Sequence, residues 1–262
     1  MSAIILQDEL VHYEVLGHGR PLVFLHGWVG SWRYWAATMQ SVSGTYRTYA
    51  LDLWGFGTTS RQPANYSLVR QASLVEAFLE EMGIGKIALV GHGLGALVSL
   101  ILAARIPRQV DRVMVVGLPG EYTALSPRLY TSQPQDLAEW LLARSLDGNA
   151  VRLETPKVDP NAIRRSLEDL QAYNLPVLLE TMTSPCLMVW GQNDLAVQAI
   201  PRERISGFPE RIHGMTFEES GHFPMLDEPS KFQHLLIDFL TLDPGASLRQ
   251  LQFREEWKRR VR

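Results

Sequence analysis

Short apolar runs alternate with helical periodicities along most of the chain. Ala3–Leu6 and Val11–Leu16 are apolar-rich and separated by Gln7, Asp8 and Glu9, which predicts a β-hairpin. Gly17–Gly19 turns the chain into Pro21–Leu25, a continuous apolar run suited to a buried strand. Ser31 is a good N-cap ahead of Trp32, Trp35 and Met39, so a helix is expected from about Ser31. Tyr46–Leu51 predicts a strand that ends at Asp52. Ser67–Met82 places Leu68, Ala72, Val75, Phe78, Leu79 and Met82 at a helical period, and Gly83 closes it. A strand at Ile87–Val90, a helix at Leu94–Arg105 and a strand at Val110–Val116 follow.

The stretch Gly120–Thr183 has no strand-like run. It offers helices at Pro134–Ala143 and Pro160–Tyr173 and a short one around Leu175–Met182. Strands resume at Cys186–Trp190 and Ile212–Phe217, before a helix at Ser230–Leu240. Strands separated by helices imply an α/β fold with a mostly parallel sheet covered on both faces. The expected organisation is an α/β core of residues 1–119 and 184–242, an inserted helical cap of 120–183, and a basic tail helix of 243–262. One segment imitates a membrane span: Ile87–Ala104 is 18 residues without Asp, Glu, Lys or Arg. Gly91, His92, Gly93 and Gly95 divide it, so strand, tight turn and helix is the expected reading.

Composition narrows the function without naming it. The 262 residues are 46% hydrophobic and 20% charged, the mixture of an ordinary globular protein rather than a disordered or fibrous one. A net charge of −3 argues against nucleic acid as the partner. One cysteine, Cys186, excludes an intramolecular disulfide and a cysteine-rich zinc site. The N-terminus has no basic lead and carries Asp8 and Glu9 soon after a short apolar run, unlike a secretory signal. A cytoplasmic setting is the expectation.

In open parallel sheets, ligands bind beyond the carboxyl ends of the strands. His26-Gly27-Trp28 follows PLVFL, Gly91-His92-Gly93-Leu94-Gly95 follows IALV, Asp194 follows CLMVWG, and His222 follows Ile212–Phe217. With HGW (26–28), DLWGFGTTS (52–60), GHGLG (91–95), PCLMVWGQND (185–194) and GHFPMLDEP (221–229) in that order, the sequence resembles an α/β-hydrolase. The likeness is to the small, capped, esterase-like branch and covers about Ala3 to Leu242. It implies that Asp194 orients His222, which carries protons as general base and acid. It also implies an oxyanion hole built from the backbone N–H groups of Trp28 and Leu94.

The pattern departs from G-x-S-x-G at one residue. The serine position is Gly93, which has no nucleophilic atom, so an acyl-enzyme is not expected. A strained elbow with positive φ is, by contrast, easier for glycine than for serine. Neither His92, Ser99 nor Cys186 makes a convincing replacement: a structural role is expected for His92, and core positions for the other two. His26 is expected to brace the oxyanion loop, and Asp52 with Gly55–Gly57 to fix a loop beside the site. Trp32 and Trp35 read as core, while the rings of Trp28 and of Trp140 in the cap are expected to bind substrate. Tyr122, Tyr130, Leu141 and Tyr173 add to an apolar lid. His12, His18, His213 and His234 show no partner pattern. No histidine pair stands at metal-ligand spacing beside a carboxylate, so no metal is expected. The elbow lacks G-x-G-x-x-G spacing and a phosphate-loop lysine, so no nucleotide cofactor is expected either.

Three functions fit. The first is an acyl-hydrolase scaffold whose serine was lost naturally or by engineering. The second is a cofactor-independent lyase, isomerase or oxygenase using the His222–Asp194 dyad. The third is a non-catalytic small-molecule binder or sensor. The expected ligand is a small, apolar molecule with a carbonyl or anionic group. In the tail, Ala246–Arg262 holds six basic residues against two glutamates, net +4, leaving −7 for the rest of the chain. Phe253, Trp257 and Val261 share a helical face there. Such a segment can meet a membrane surface or a protein. Docking on the acidic body through Phe253 and Trp257 is the favoured reading.

Overall fold

The computed structural model describes residues 2–143, 145 and 147–254. Eight strands form one sheet in the order β1-β2-β4-β3-β5-β6-β7-β8. β1 (Ser2–Leu6) and β2 (Glu9–Leu16) make the expected hairpin. Its two-residue turn puts Gln7 and Asp8 at φ of 53° and 64°, the left-handed pair that matches strand twist. β2 runs antiparallel to β4 (Tyr46–Leu51). From β4 onward through β3 (Arg20–Leu25), β5 (Ile87–His92), β6 (Val110–Val116), β7 (Cys186–Gly191) and β8 (Ile212–Phe217), every pair is parallel. Every residue of β5 and β7 is buried. Side chains alternate between faces, so both faces of the sheet are covered there.

The helices over the sheet are α1 (Ala36–Val42), α2 (Leu68–Glu81) and α3 (Leu94–Arg105). Ser31 caps a single 3-10 turn, Trp32–Trp35, before α1 begins, so the expected helix opens tighter than an α-helix. Between β6 and β7 lies a helical block: α4 (Arg128–Thr131), α5 (Pro134–Leu141), α6 (Asn149–Glu154), α7 (Pro160–Leu170) and α8 (Leu175–Thr181). The sequence pattern predicts three of these; α4 and α6, at four and six residues, are too short to show a period. α9 (Arg202–Ser206), α10 (Pro224–Asp227) and α11 (Pro229–Thr241) complete the chain of helices. Among the described residues no helix is long and apolar enough to cross a membrane. The apolar stretch Ile87–Ala104 is β5, a turn at Gly93 and most of α3.

Beyond α11, the described part of the tail holds one 3-10 turn, Leu248–Gln250, capped by Ser247, rather than a continuous helix. Leu248 and Leu251 are buried. The Phe253 ring meets Phe217 edge-on at 4.9 Å. The Lys231 ammonium lies 4.7 Å from the Phe217 ring and 4.2 Å from the Phe253 ring. Trp257, Val261 and the terminal basic cluster lie outside the described residues.

α7 is fastened to the core at both ends. Its N-cap, Asp159, accepts from the Tyr66 hydroxyl at 2.7 Å and from the Asn161 N–H at 2.8 Å, while its own N–H reaches the Gly55 carbonyl at 2.8 Å. Near the other end, Asp169 accepts from the Leu68 N–H at 3.0 Å. Removing the first of these with Asp159→Ala should lower the free energy of unfolding by about 1–3 kcal/mol in a urea titration. A loss below about 0.5 kcal/mol would mean that packing alone holds α7.

Candidate active site

The site is organised by the passage from β5 into α3. Residue 93 takes φ 49° and ψ −108°, a conformation that side-chain-bearing residues rarely adopt. The flanking glycines serve a different need, close approach. A Cβ at Gly91 would lie 2.2 Å from the Gly95 carbonyl oxygen, and one at Gly95 would lie 2.3 Å from that of Leu25. Two backbone bonds pin the turn: Gly93 N–H to the Val116 carbonyl at 2.9 Å, and Gly95 N–H to that of His26 at 3.0 Å.

Around this turn the structure brings together Trp28, Gly93, Asp194 and His222. His222 Nδ1–H donates to Asp194 Oδ2 at 2.9 Å, and both side chains are almost fully buried. Asp194 Oδ1 accepts from the N–H groups of Ala196 at 2.8 Å and Val197 at 3.1 Å, which fixes the carboxylate plane. The other imidazole nitrogen, His222 Nε2, is buried and has no partner among the described residues. His12 Nε2, Trp35 Nε1 and Tyr130 Oη are in the same state among the described residues. The indole of Trp28 is fully buried, with its ring plane 17° from that of His222 and the centroids 6.5 Å apart. Its Cε3 and Cζ3 would stand 3.0 Å from a Cβ on residue 93. No hydrogen bond within the described residues uses the N–H of Trp28 or of Leu94. The Leu94 N–H belongs to the first turn of α3, where helical amides have no partner inside the helix.

A chain of neutral groups holds these parts. Tyr34 Oη accepts from the Gly27 N–H at 2.6 Å and is 2.9 Å from His92 Nδ1. Because the His222 carbonyl can only accept, the proton of neutral His92 sits on Nε2, and Nδ1 accepts from the Tyr34 hydroxyl. His92 Nε2–H is then the donor to the His222 carbonyl at 2.9 Å. The His26–Trp28 loop, the end of β5 and the His222 loop are thus joined through one tyrosine and one imidazole. Burial, aided by the nearby His222, holds the His92 pKa well below its ordinary value. His26 is arranged alike: its Nε2 accepts from the Leu53 N–H at 3.0 Å, so Nδ1–H donates to the Gly27 carbonyl at 2.8 Å. Burial lowers its pKa too.

The histidine loop has further supports. The Gly221 N–H donates to Asp227 Oδ2 at 2.8 Å, and the Ser145 hydroxyl bonds to the same carboxylate. Ser220 Oγ donates to Glu228 at 2.6 Å. Asp52 is buried and accepts from the N–H groups of Trp32 at 2.9 Å and Thr58 at 3.3 Å. It also accepts from His12 Nδ1 at 2.8 Å. His12 therefore has a partner that the sequence pattern does not reveal, because the two residues meet only across paired strands. Burial pulls the His12 pKa down, but the hydrogen bond and charge of Asp52, with Glu14 beside it, raise it on balance.

The remaining candidates have other partners. Trp140 is half-buried on α5 beneath the Arg128 guanidinium, 4.8 Å from its ring centroid. Ser99 is buried in α3 and donates to the Gly95 carbonyl at 2.7 Å. Cys186 opens β7 with its thiol pushed up to about 12 by burial, which leaves no thiolate to attack. Trp35 packs on Phe24 and Phe232, and Trp32 lies half-buried beside His12. Tyr34 and Ser166 support the site without any sequence motif to announce them, whereas Asp227 lies inside GHFPMLDEP.

Residues 22–233 match the family model described as the alpha/beta hydrolase family. The chain belongs to that family. It is 26% identical to the pimeloyl-[acyl-carrier protein] methyl ester esterase of Nitrosomonas europaea, over 85% of this chain and 96% of that one. It is 24% identical to human epoxide hydrolase 4, over 87% of this chain and 75% of that one. Among solved structures, the enol-lactonase from Burkholderia xenovorans superposes with a TM-score of 0.79 at 19% identity, covering 92% of this chain and 100% of that one. A thermophilic esterase from Thermogutta terrifontis gives 0.76 at 18%, covering 91% and 97%.

The buried histidines set a pH dependence of stability. His26 and His92 take up protons in the unfolded chain below about pH 6.5 but resist them when folded, so stability falls as pH drops below that value. Each contributes a slope of about 1.4 kcal/mol per pH unit there. His12, with its raised pKa, acts oppositely: its contribution is complete below about pH 6.5 and is lost as pH rises through the folded value. Urea unfolding from about pH 5 to pH 8 should therefore show maximal stability near neutrality. A stability that stays flat down to about pH 5 would show that His26 and His92 protonate in the folded state.

Proposed function

We propose that this chain is an acyl-hydrolase scaffold of the esterase-like type that has lost the covalent step at Gly93. What remains is the His222–Asp194 dyad, which acts on a small carbonyl compound held by the Trp28 and Leu94 amides. In this reading, residues 1–119 and 184–242 are the core, 120–183 are a cap over the site, and 243–262 are a tail. The single buried thiol, Cys186, suits a cytoplasmic setting.

One observation carries the reading: His222 Nδ1 is committed to Asp194 while Nε2 is buried and unpartnered. In a serine hydrolase that nitrogen takes the nucleophile's proton and later returns it to the leaving group. With glycine at position 93, the only protons it can take belong to a bound molecule or to water. The oxyanion amides are main-chain groups and survive the loss of the hydroxyl, so a developing negative charge on a carbonyl oxygen still has donors. The names of the esterase and lactonase relatives support a carbonyl-bearing ligand. The retained dyad equally supports a second reading, proton abstraction from a substrate in lyase, isomerase or oxygenase chemistry.

Gly93→Ser separates these readings when assayed with short p-nitrophenyl esters. The Trp28 ring must yield a few tenths of an ångström to the new Cβ. The variant should gain about 10³-fold or more in kcat/KM over the native chain, and His222→Ala should abolish the gain. Native-chain turnover that vanishes in His222→Ala favours dyad chemistry. If neither form turns over any ester and His222→Ala leaves ligand binding unchanged, the chain is a binding protein.

A further inference from the structure

Trp28 contributes more than its backbone. The indole stands on the elbow, with Cε3 and Cζ3 placed 3.0 Å from where a side chain on residue 93 would begin. Its Nε1–H donates to Ser166 Oγ on α7 at 3.2 Å, and Ser166 Oγ donates in turn to the Ile163 carbonyl at 2.7 Å. Both Trp28 and Ser166 are fully buried. The acceptor does not drift, because α7 is tied to the core through Asp159 and Asp169. A single hydrogen bond from a fixed helix therefore sets the position of the bulkiest side chain at the site. An indole so held takes up the volume next to Gly93 and lies nearly parallel to the His222 ring, with centroids 6.5 Å apart.

We propose that Trp28, fastened by Ser166, is the specificity determinant of this site and restricts it to compact carbonyl compounds. This inference rests on the carbonyl-binding reading above. A ligand whose carbonyl oxygen meets the Trp28 and Leu94 amides must lay its carbon chain past the indole. A short chain fits beside the ring. A long one must break the Nε1–Ser166 bond and leave the buried indole N–H unpaired, while Ser166 Oγ keeps the Ile163 carbonyl, and this loss offsets the benefit of burying more methylenes. Releasing or shrinking the indole should therefore lengthen the chain that the site accepts.

The test uses straight-chain methyl ketones from 2-butanone to 2-decanone, which need no turnover. Their dissociation constants are obtained by NMR titration of the native Gly93 chain, Ser166→Ala and Trp28→Leu. In the native chain affinity should stop rising beyond a short ketone. In Trp28→Leu it should keep rising by about fourfold per methylene. Ser166→Ala, which keeps the ring and removes only its anchor, should bind 2-decanone about fivefold more tightly than the native chain does. If Trp28→Leu does not fold, Ser166→Ala carries the test alone. The same chain-length dependence in all three proteins overturns the role of Trp28 while leaving the carbonyl-binding reading standing. Failure of every ketone to bind any form overturns both.

Discussion

The backbone turn at Gly93 is the constraint on which the site depends. A buried central strand must pass into a buried helix within one residue, and a φ of 49° achieves this. Gly91 and Gly95 permit the required contact by lacking side chains, since either Cβ would fall well inside the van der Waals contact distance to a carbonyl oxygen. Once the turn is made, the Leu94 amide opens α3, and the His26–Trp28 loop is drawn in by the Gly95 N–H, which donates to the His26 carbonyl. The elbow is a requirement of the fold before it is a requirement of the chemistry. Glycine at its tip removes the attacking atom and leaves the architecture intact.

Neutral hydrogen bonds then do what charges would do at greater cost. Buried ions need partners to offset their desolvation, and the centre of this site has one carboxylate, Asp194, matched by two backbone N–H groups and an imidazole. His26 and His92 serve as rigid two-ended connectors, each donating from one nitrogen and accepting at the other. Both are kept uncharged by burial. The contrast with His222 is direct, because one of its nitrogens is left over. His26 and His92 have both ring nitrogens satisfied, whereas His222, like His12 beside Asp52, has an Nε2 without a hydrogen bond among the described residues.

The centre of the sheet was legible in the sequence because strands such as β5 and β7 are buried on both faces and read as continuous apolar runs. Tyr46–Leu51, Val110–Val116 and Ile212–Phe217 begin and end at the residues their patterns predict. The residues at strand ends were legible because they come in short motifs in a fixed order. The supports were not. Tyr34 meets His92 and Gly27 from a 3-10 turn, Ser166 reaches Trp28 from a sequence distance of 138 residues, and His12 meets Asp52 across paired strands. None of these contacts leaves a periodic or local signal. The short helices α4 and α6 escaped for a related reason, being held by tertiary packing rather than by an amphipathic repeat. In the tail, the described residues hold one 3-10 turn, and Phe253 packs on the rings and ammonium of the body, while the rest of the helical spacing falls outside them.

The account stands or falls on whether the native chain can form a covalent intermediate. The direct measurement is the intact mass of the folded protein after treatment with an alkyl fluorophosphonate, which captures a histidine-activated nucleophile irrespective of the leaving group. The expected result is an unmodified mass, since Gly93 offers no atom to phosphonylate and the Cys186 thiol is buried and protonated. A stoichiometric adduct that maps to a residue of the site and disappears in His222→Ala would contradict it.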